Sequence, residues 1–402
     1  MQTPASPPKL PTGDAADLTG FLGLAGPRSW EERMAEIGRR TRAATLAGRA
    51  AQERHALELT LQRLAAPGAM AGAGVAERAL LALAQTAARL ADTLPEAPRQ
   101  RLCALVLSGL TGEANLIPLF HLLRVAALHR ERGFEVRFTG LAEGTPHDLL
   151  ISRGGAEAEV VCDTLSAEEG RPLLREEWCA FVDGINPDLQ TWLAAHPGRY
   201  VLKMTLPDGL GGDALDGPAL QRRIMEMLRE HRRQDLNTSA VLKLDPLVLA
   251  GAQAAVPAQA LRALFGPEAQ LAVAQQGNGN MLVLAARAGQ ASDIARAVCR
   301  RMVAASGRLG GERAGILAMF LDDIGRQEWR GLRDRRELEG AVRRFLTTPE
   351  ARRVSAVSCA SRMELFGMAP PDSVPEGELR FRNPARPHTR EPGLLPSLVS
   401  TA

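Results

Sequence analysis

Lysine is almost missing from this chain: Lys9, Lys203 and Lys243 stand alone among 49 basic residues. None of the three follows a glycine, so no GxxxxGK[ST] phosphate loop can be written, and P-loop nucleotide chemistry is excluded. Cysteine is scarce as well. Cys103, Cys162, Cys179, Cys299 and Cys359 form no CxxC pair, which removes zinc ribbons, thioredoxin-like motifs and a disulfide framework, and points to a reducing cytoplasm. Aromatic residues make up 4% of the chain, with Tyr200 the sole tyrosine, too few for a platform that stacks single-stranded bases. No run reaches the roughly 18 apolar residues of a membrane span. Met1–Arg28 holds Pro4, Pro7, Pro8 and Pro11 but neither the basic start nor the apolar run of a signal peptide, and reads as a flexible tail. HExxH, GxSxG and GxGxxG are absent, and the 7 histidines are dispersed, which leaves no zinc or dinucleotide motif.

What is present is the make-up of a globular chain: 402 residues, 45% hydrophobic and 24% charged, enough for two or three domains with cores of their own. The net charge of +3 permits a nucleic-acid partner without requiring one, because phosphate binding depends on clustered charge. Helical patterning fills residues 29–111, with apolar positions such as Met34, Ile37, Leu57, Leu61 and Leu64 set among Glu and Arg. Beyond Gly112 the texture changes. A helix over Glu113–His129 leads to the alternating strand Phe134–Phe138, and strands then alternate with helices, which predicts a mixed α/β class. A hairpin is expected at Gln270–Ala274 and Asn280–Ala286 around the turn Gly277–Asn278–Gly279–Asn280, after a helix at Pro257–Phe265, and a buried strand at Gly315–Leu321. Residues after Pro384 read as a loose tail.

The candidate chemistry lies in a second hairpin. Asp148–Ile151 and Glu157–Asp163 flank Arg153–Gly154–Gly155, and by the period of two Glu157, Glu159, Val161 and Asp163 share one face of the second strand. Asp148 falls across from that strand's middle, so Asp148, Glu159 and Asp163 are candidates to converge. Converging carboxylates are an oxygen-ligand set suited to Mg²⁺, which activates water and stabilises charge on a scissile phosphate. Each acid also has a plainer reading: Glu113 as a helix first-turn acid, Asp148 as a turn residue, Glu157 and Glu159 as a solvated face, and Asp163 as the end of its strand.

From Gly112 to Thr164 these residues resemble the PD-(D/E)xK restriction-endonuclease-like superfamily, whose pattern is a helix bearing Glu, a strand, and a hairpin with Asp opening one strand and (D/E)xK on the next. Glu113 at the helix, Pro146–His147–Asp148 with one residue inserted, and Glu157–Asp163 occupy those places. The resemblance implies catalytic roles for Asp148, Glu157, Glu159 and Asp163, Mg²⁺ ligation by Glu113, Asp148 and Glu159, and activity as a DNA phosphodiesterase. One register sets Val161 where the family has its acid and Asp163 where it has lysine, and both catalytic positions are then lost; the other reads Glu157–Ala158–Glu159 as an ExE variant. No lysine lies on this strand in either register. The implied organisation is a tail (1–28), a helical region (29–111), a core in two halves (112–171 and 287–384), an inserted α/β subdomain (172–286) and a tail (385–402).

Arg171, Arg175 and Lys203 are the candidate nucleic-acid contacts, and further arginine pairs such as Arg222–Arg223 and Arg343–Arg344 sit among acids as solvated faces would. Three functions stand: a DNA-associated protein with an eroded, non-cleaving core; an active Mg²⁺-dependent nuclease; and a structural or regulatory module that binds protein through its N-terminal helices. All three are without a membrane. Arginines clustered beside the hairpin favour the nucleic-acid readings, and a heptad apolar stripe on the first helices favours the last.

Overall fold

The structure is a computed structural model and describes residues 15–42, 44–210, 216–247, 261, 264–266, 269–276, 279–362 and 378–400. These form helices and two mixed sheets, the mixed α/β class that the alternation of elements predicts. They divide into two compact units, one drawn from Met1–Arg39, Arg54–Ala167 and Ala295–Ala402, the other from Arg40–Glu53 and Glu168–Ile294. No described helix is long and apolar enough to cross a membrane.

The chain begins with helices α1 (Ala15–Gly23), α2 (Pro27–Thr41), α3 (Leu46–Arg54), α4 (Ala56–Leu64), α5 (Val75–Thr93), α6 (Glu96–Gly109), α7 (Ile117–Glu131) and α8 (Thr139–Ala142). The expected tail over 1–28 is corrected in part: α1 buries Leu18 and Phe21, and the Phe21 ring meets Phe120 edge-on at 5.7 Å. Residues before 15 lie outside the described ones. Helix α7 starts four residues later than expected. Pro118 occupies its first turn, where a missing N–H costs nothing, and the Asn115 Oδ1 accepts the Ile117 N–H at 3.1 Å.

Strands β1 (Glu135–Arg137), β2 (Leu149–Arg153) and β3 (Ala156–Ser166) follow as an antiparallel meander. Gly154 and Gly155 have φ of 57° and 80°, both left-handed, which makes the type I′ turn whose twist suits a two-residue hairpin. The second unit then contributes α9 (Arg175–Ala195), β4 (Arg199–Leu206), α10 (Gly217–Arg229), β5 (Gln234–Leu236), β6 (Val241–Pro246), β7 (Gln270–Gln275) and β8 (Met281–Ala288). Its sheet runs β5-β6-β4-β8-β7, with β4 and β8 parallel and the other pairs antiparallel. Ile185, Leu189 and Ile224 of α9 and α10 bury against Leu202, Met204 and Leu284. The sequence bounds this region at 172–286 and gives 40–53 to the N-terminal helices. In the structure the backbone N–H groups of Leu46 and Ala47 each donate to the Asp183 carboxylate at 2.8 Å, which ties α3 into the second unit. Most of the helix expected at Pro257–Phe265, and the turn at 277–278, lie outside the described residues.

The first unit resumes with α11 (Ile294–Ser306), β9 (Ala314–Asp322), α12 (Arg326–Asp334), α13 (Glu337–Leu346), β10 (Val354–Ser361) and β11 (Leu379–Arg382). Its six strands are ordered β1-β2-β3-β9-β10-β11, and β3, β9 and β10 run parallel, so residues on either side of the second unit become neighbours in one sheet. Every residue of β9 is buried, as expected of a central parallel strand covered on both faces. Ala158 and Val160 of β3 belong to the core that Phe120, Leu123 and Ala126 of α7 complete. The loose tail expected over 385–402 is corrected for residues up to 400: Leu394 and Leu398 are fully buried in that core, and a Cβ on Gly393 would collide with the Arg153 carbonyl.

Candidate functional site

The face of β3 opposite α7 carries the acids, and α11 with the loop after it supplies a cation for most of them. Asp148 immediately precedes β2; its N–H donates to the Val160 carbonyl at 3.0 Å, and its Oδ2 accepts the Cys162 N–H at 2.7 Å. The other oxygen, Oδ1, accepts from Arg308 Nη2 at 2.7 Å. Burial pushes the Asp148 carboxyl up, and Arg308 offsets that only in part. Asp163 is gripped by two nitrogens of Arg301, each at 3.0 Å, a forked pairing that both orients and neutralises it. Glu157, half exposed near the turn, pairs with Arg313 at 2.7 Å. Glu159 is 3% exposed and accepts the Gly310 N–H at 2.6 Å, with Arg313 at 3.7 Å.

Register separates the two alignments that the sequence leaves open. Leu149 is opposite Val160, Leu150 opposite Glu159 and Ser152 opposite Glu157, so Asp148 lies beside Val160–Cys162, and both glutamates lie further toward the turn. The residue of β3 across from Asp148 is Val161, which is fully buried, and the next position on that face is Asp163. Glu157, Glu159 and Asp163 do share a face as their spacing predicts, but they are strung along it: Arg313 reaches both glutamates, and Arg301 holds Asp163. Strand β3 continues three residues past Asp163, so Asp163 does not end it.

Glu113 is corrected outright. It is exposed in the turn before α7, its carbonyl accepts from Arg54, and it does not head the helix. Among the described residues no group of three or more His, Cys, Asp or Glu is arranged to hold a metal. Asp148 and Glu159 are engaged instead by the Arg308 guanidinium and the Gly310 N–H.

The basic candidates sit in the second unit. Arg171 is buried against Glu168, Arg175 is within 4.0 Å of Glu168 and 3.7 Å of Glu53, and Lys203 on β4 pairs with Asp245 at 3.0 Å. The arginines that flank the hairpin are instead Arg301, Arg308 and Arg313, all at least one third exposed. Their distance in sequence from the hairpin hid them; the only signal was an arginine-rich stretch after a helix, one of many in this chain.

A second cluster gathers where the parallel strands end, the place where open α/β sheets commonly bind ligands. Asp322 accepts from Asn115 Nδ2 at 2.9 Å, from the Asp323 N–H at 2.9 Å and from Arg362 Nε. Burial raises its pKa, but the hydrogen bonds and charge of Arg362 more than offset that and hold it below the usual carboxylate value. Asp323, with a left-handed φ of 54°, accepts from Ser166 Oγ at 2.7 Å. Nearby Glu58, fully buried, accepts the Leu116 N–H at 2.7 Å, and burial pushes its carboxyl up despite Arg33 and Arg362. The sequence shows Asp322–Asp323 after an apolar strand, yet nothing local links them to Asn115 or Arg362, 207 and 40 residues away from Asp322. These contacts hold strand ends together in an ion-paired network.

No protein-family model, curated protein or solved structure matches this chain.

Proposed function

We propose that this chain is a DNA-associated protein whose first unit is a PD-(D/E)xK-like core eroded at its catalytic set, so that it binds without cutting. The observation that carries the reading is the pairing of the hairpin's acids with arginine: Arg308 on Asp148 and Arg301 on Asp163, with buried Val161 on β3 facing Asp148. An arginine fork neutralises a carboxylate as a divalent ion would, but it offers no open coordination position for water and no Lewis acidity. The order of elements in the first unit supports the same family: a helix, an antiparallel three-strand meander with the short α8 after its first strand and, past the second unit, a helix and a strand parallel to the third. The DNA reading is supported by Arg301, Arg308 and Arg313, which line the hairpin from α11 onward with their outer faces in solvent. Five free cysteines support a cytoplasmic setting.

The test is binding and cleavage of labelled double-stranded and single-stranded DNA with Mg²⁺, with Mn²⁺ and with chelator. Wild type should bind double-stranded DNA, lose affinity steeply between 50 and 200 mM salt as about one counterion per phosphate contact is released, and leave the DNA intact. Arg301→Gln and Arg313→Gln should weaken binding. Metal-dependent cutting that Asp148→Ala abolishes would overturn the eroded-site reading, and absence of binding would overturn the DNA reading in favour of a protein partner.

A further inference from the structure

On the same unit, between the end of α7, β10 and the segment around β11, lies a small cleft open to solvent. Apolar side chains of α7 and β10 form one wall, and His129, Arg132, Ser358, Glu378 and Arg380 form the polar one. Among the described residues the charges of this wall do not balance. Glu378, 6% exposed, accepts from Arg124 Nη2 at 2.9 Å and lies 3.6 Å from Arg380 Nη2. Arg132 makes no ion pair among the described residues, and its cation is disfavoured by burial and by the neighbouring Arg380 and Arg124, with Glu378 and the exposed Glu131 acting the other way. Three guanidiniums thus converge where one buried carboxylate is committed to two of them.

Two buried nitrogens are also unsatisfied: Nη1 of Arg124 and Nδ1 of His129, whose ring is 4% exposed, have no hydrogen-bond partner among the described residues. Buried polar nitrogens of this kind are costly unless a partner arrives. The negative end of α7 does not supply one, because the Leu128, His129 and Arg130 carbonyls already accept from Arg132, Phe134 and Gly133 at 3.2, 3.0 and 2.9 Å. The polar groups come from three elements: the end of α7, β10 and β11. That gives more directions of approach than a planar carboxylate can serve, whereas a tetrahedral anion presents oxygens on every side.

We propose that this cleft is a binding site for a tetrahedral oxyanion, either inorganic phosphate or a terminal phosphomonoester. Arg132 and Arg380 grip it, the Nδ1–H of His129 and the Ser358 hydroxyl donate from the floor, and Glu378 holds Arg124 in place behind them. The site is separate from the β2–β3 hairpin and does not depend on how that hairpin functions.

Titration calorimetry of the full chain at pH 7.5 and low chloride tests it, with inorganic phosphate in one arm and glycerol 3-phosphate in the other. Saturable one-to-one binding is expected in at least one arm; tighter phosphate would identify the free ion and tighter ester a phosphomonoester. Arg132→Gln, which breaks no ion pair among the described residues, should weaken binding at least tenfold, and Arg229→Gln in the second unit should not change it. Ring proton resonances of His129 should move as phosphate is added and stay fixed in Arg132→Gln. No saturable binding of either anion by the wild type, or wild-type affinity in a folded Arg132→Gln, overturns the proposal.

Discussion

A carboxylate held by arginine and a carboxylate held by a metal differ in what happens when the partner is removed. Asp148 is about one quarter exposed and Arg308 about one third, so the pair lies between a surface and a buried bridge. Arg308→Ala should cost about 1–2 kcal/mol at neutral pH, more than a typical surface pair and less than a broken buried one. The variant leaves Asp148 raised further by burial, with only the Cys162 N–H to favour its charge. A folded-state pKa above the unfolded one means that the folded protein takes up the proton, so the deficit should shrink as pH falls toward the ordinary Asp range; urea unfolding at pH 7 and pH 4 measures this. His129 has the opposite sign. Burial and Arg132 hold its pKa down at about 3, well below the usual 6.5, so the unfolded chain takes up a proton that the fold refuses. Stability from this residue is complete above pH 6.5 and falls, by up to about 1.4 kcal/mol per pH unit, as pH drops toward 3. His129→Leu should flatten the stability profile between pH 6.5 and 4 by that slope, and an unchanged slope would contradict the assigned burial.

At the scale of elements, the carboxy-terminal segment offers the sharpest test, because composition and packing disagree about it. Proline, histidine and arginine after Pro384 look like a loose end, yet Leu394 and Leu398 are fully buried while Val399 between them and the terminus is 50% exposed. Leu394→Ala and Leu398→Ala should each cost about 2–5 kcal/mol, against no more than about 0.5 kcal/mol for Val399→Ala, read by denaturant unfolding; three small, equal effects would mean an undocked tail. Local signals succeeded where an element is defined by its own residues. The glycine pair of the β2–β3 turn, the alternation of Glu157 to Asp163 and the unbroken apolar run of β9 were all legible for that reason. They failed where a partner is remote: Glu113 sits in a turn because Pro118 delays the helix, and Arg301, Arg308 and Gly310 reach the acids from about 140 to 160 residues away. Only tertiary structure decides whether an alternating acid meets solvent, a metal or an arginine. The ExE alignment also had no local arbiter, since it rests on cross-strand register, which pairs Leu150 and not Asp148 with Glu159.

For the whole molecule, the lesson of the interrupted chain is that each unit closes a core from its own segments. In the first unit Leu18, Phe120, Val160, Ile316 and Leu398 share a core, though they come from helices near the start, the hairpin, the late strand and the terminal turn. The second unit encloses Trp178, Leu189, Leu202, Ile224 and Leu284, and Leu46 and Ala50 of α3 pack against that core. A unit with its own core and its own sheet is expected to unfold as its own cooperative step. Calorimetry should therefore give a total enthalpy larger than the van't Hoff enthalpy of any one transition. Leu189→Ala, which empties a fully buried position in the second unit, should lower one transition by about 2–5 kcal/mol and leave the other in place, while Phe120→Ala, costing about 3–5 kcal/mol, should do the reverse. A single transition moved by both variants would show instead that the two cores melt together, and that the inserted unit is part of one cooperative fold.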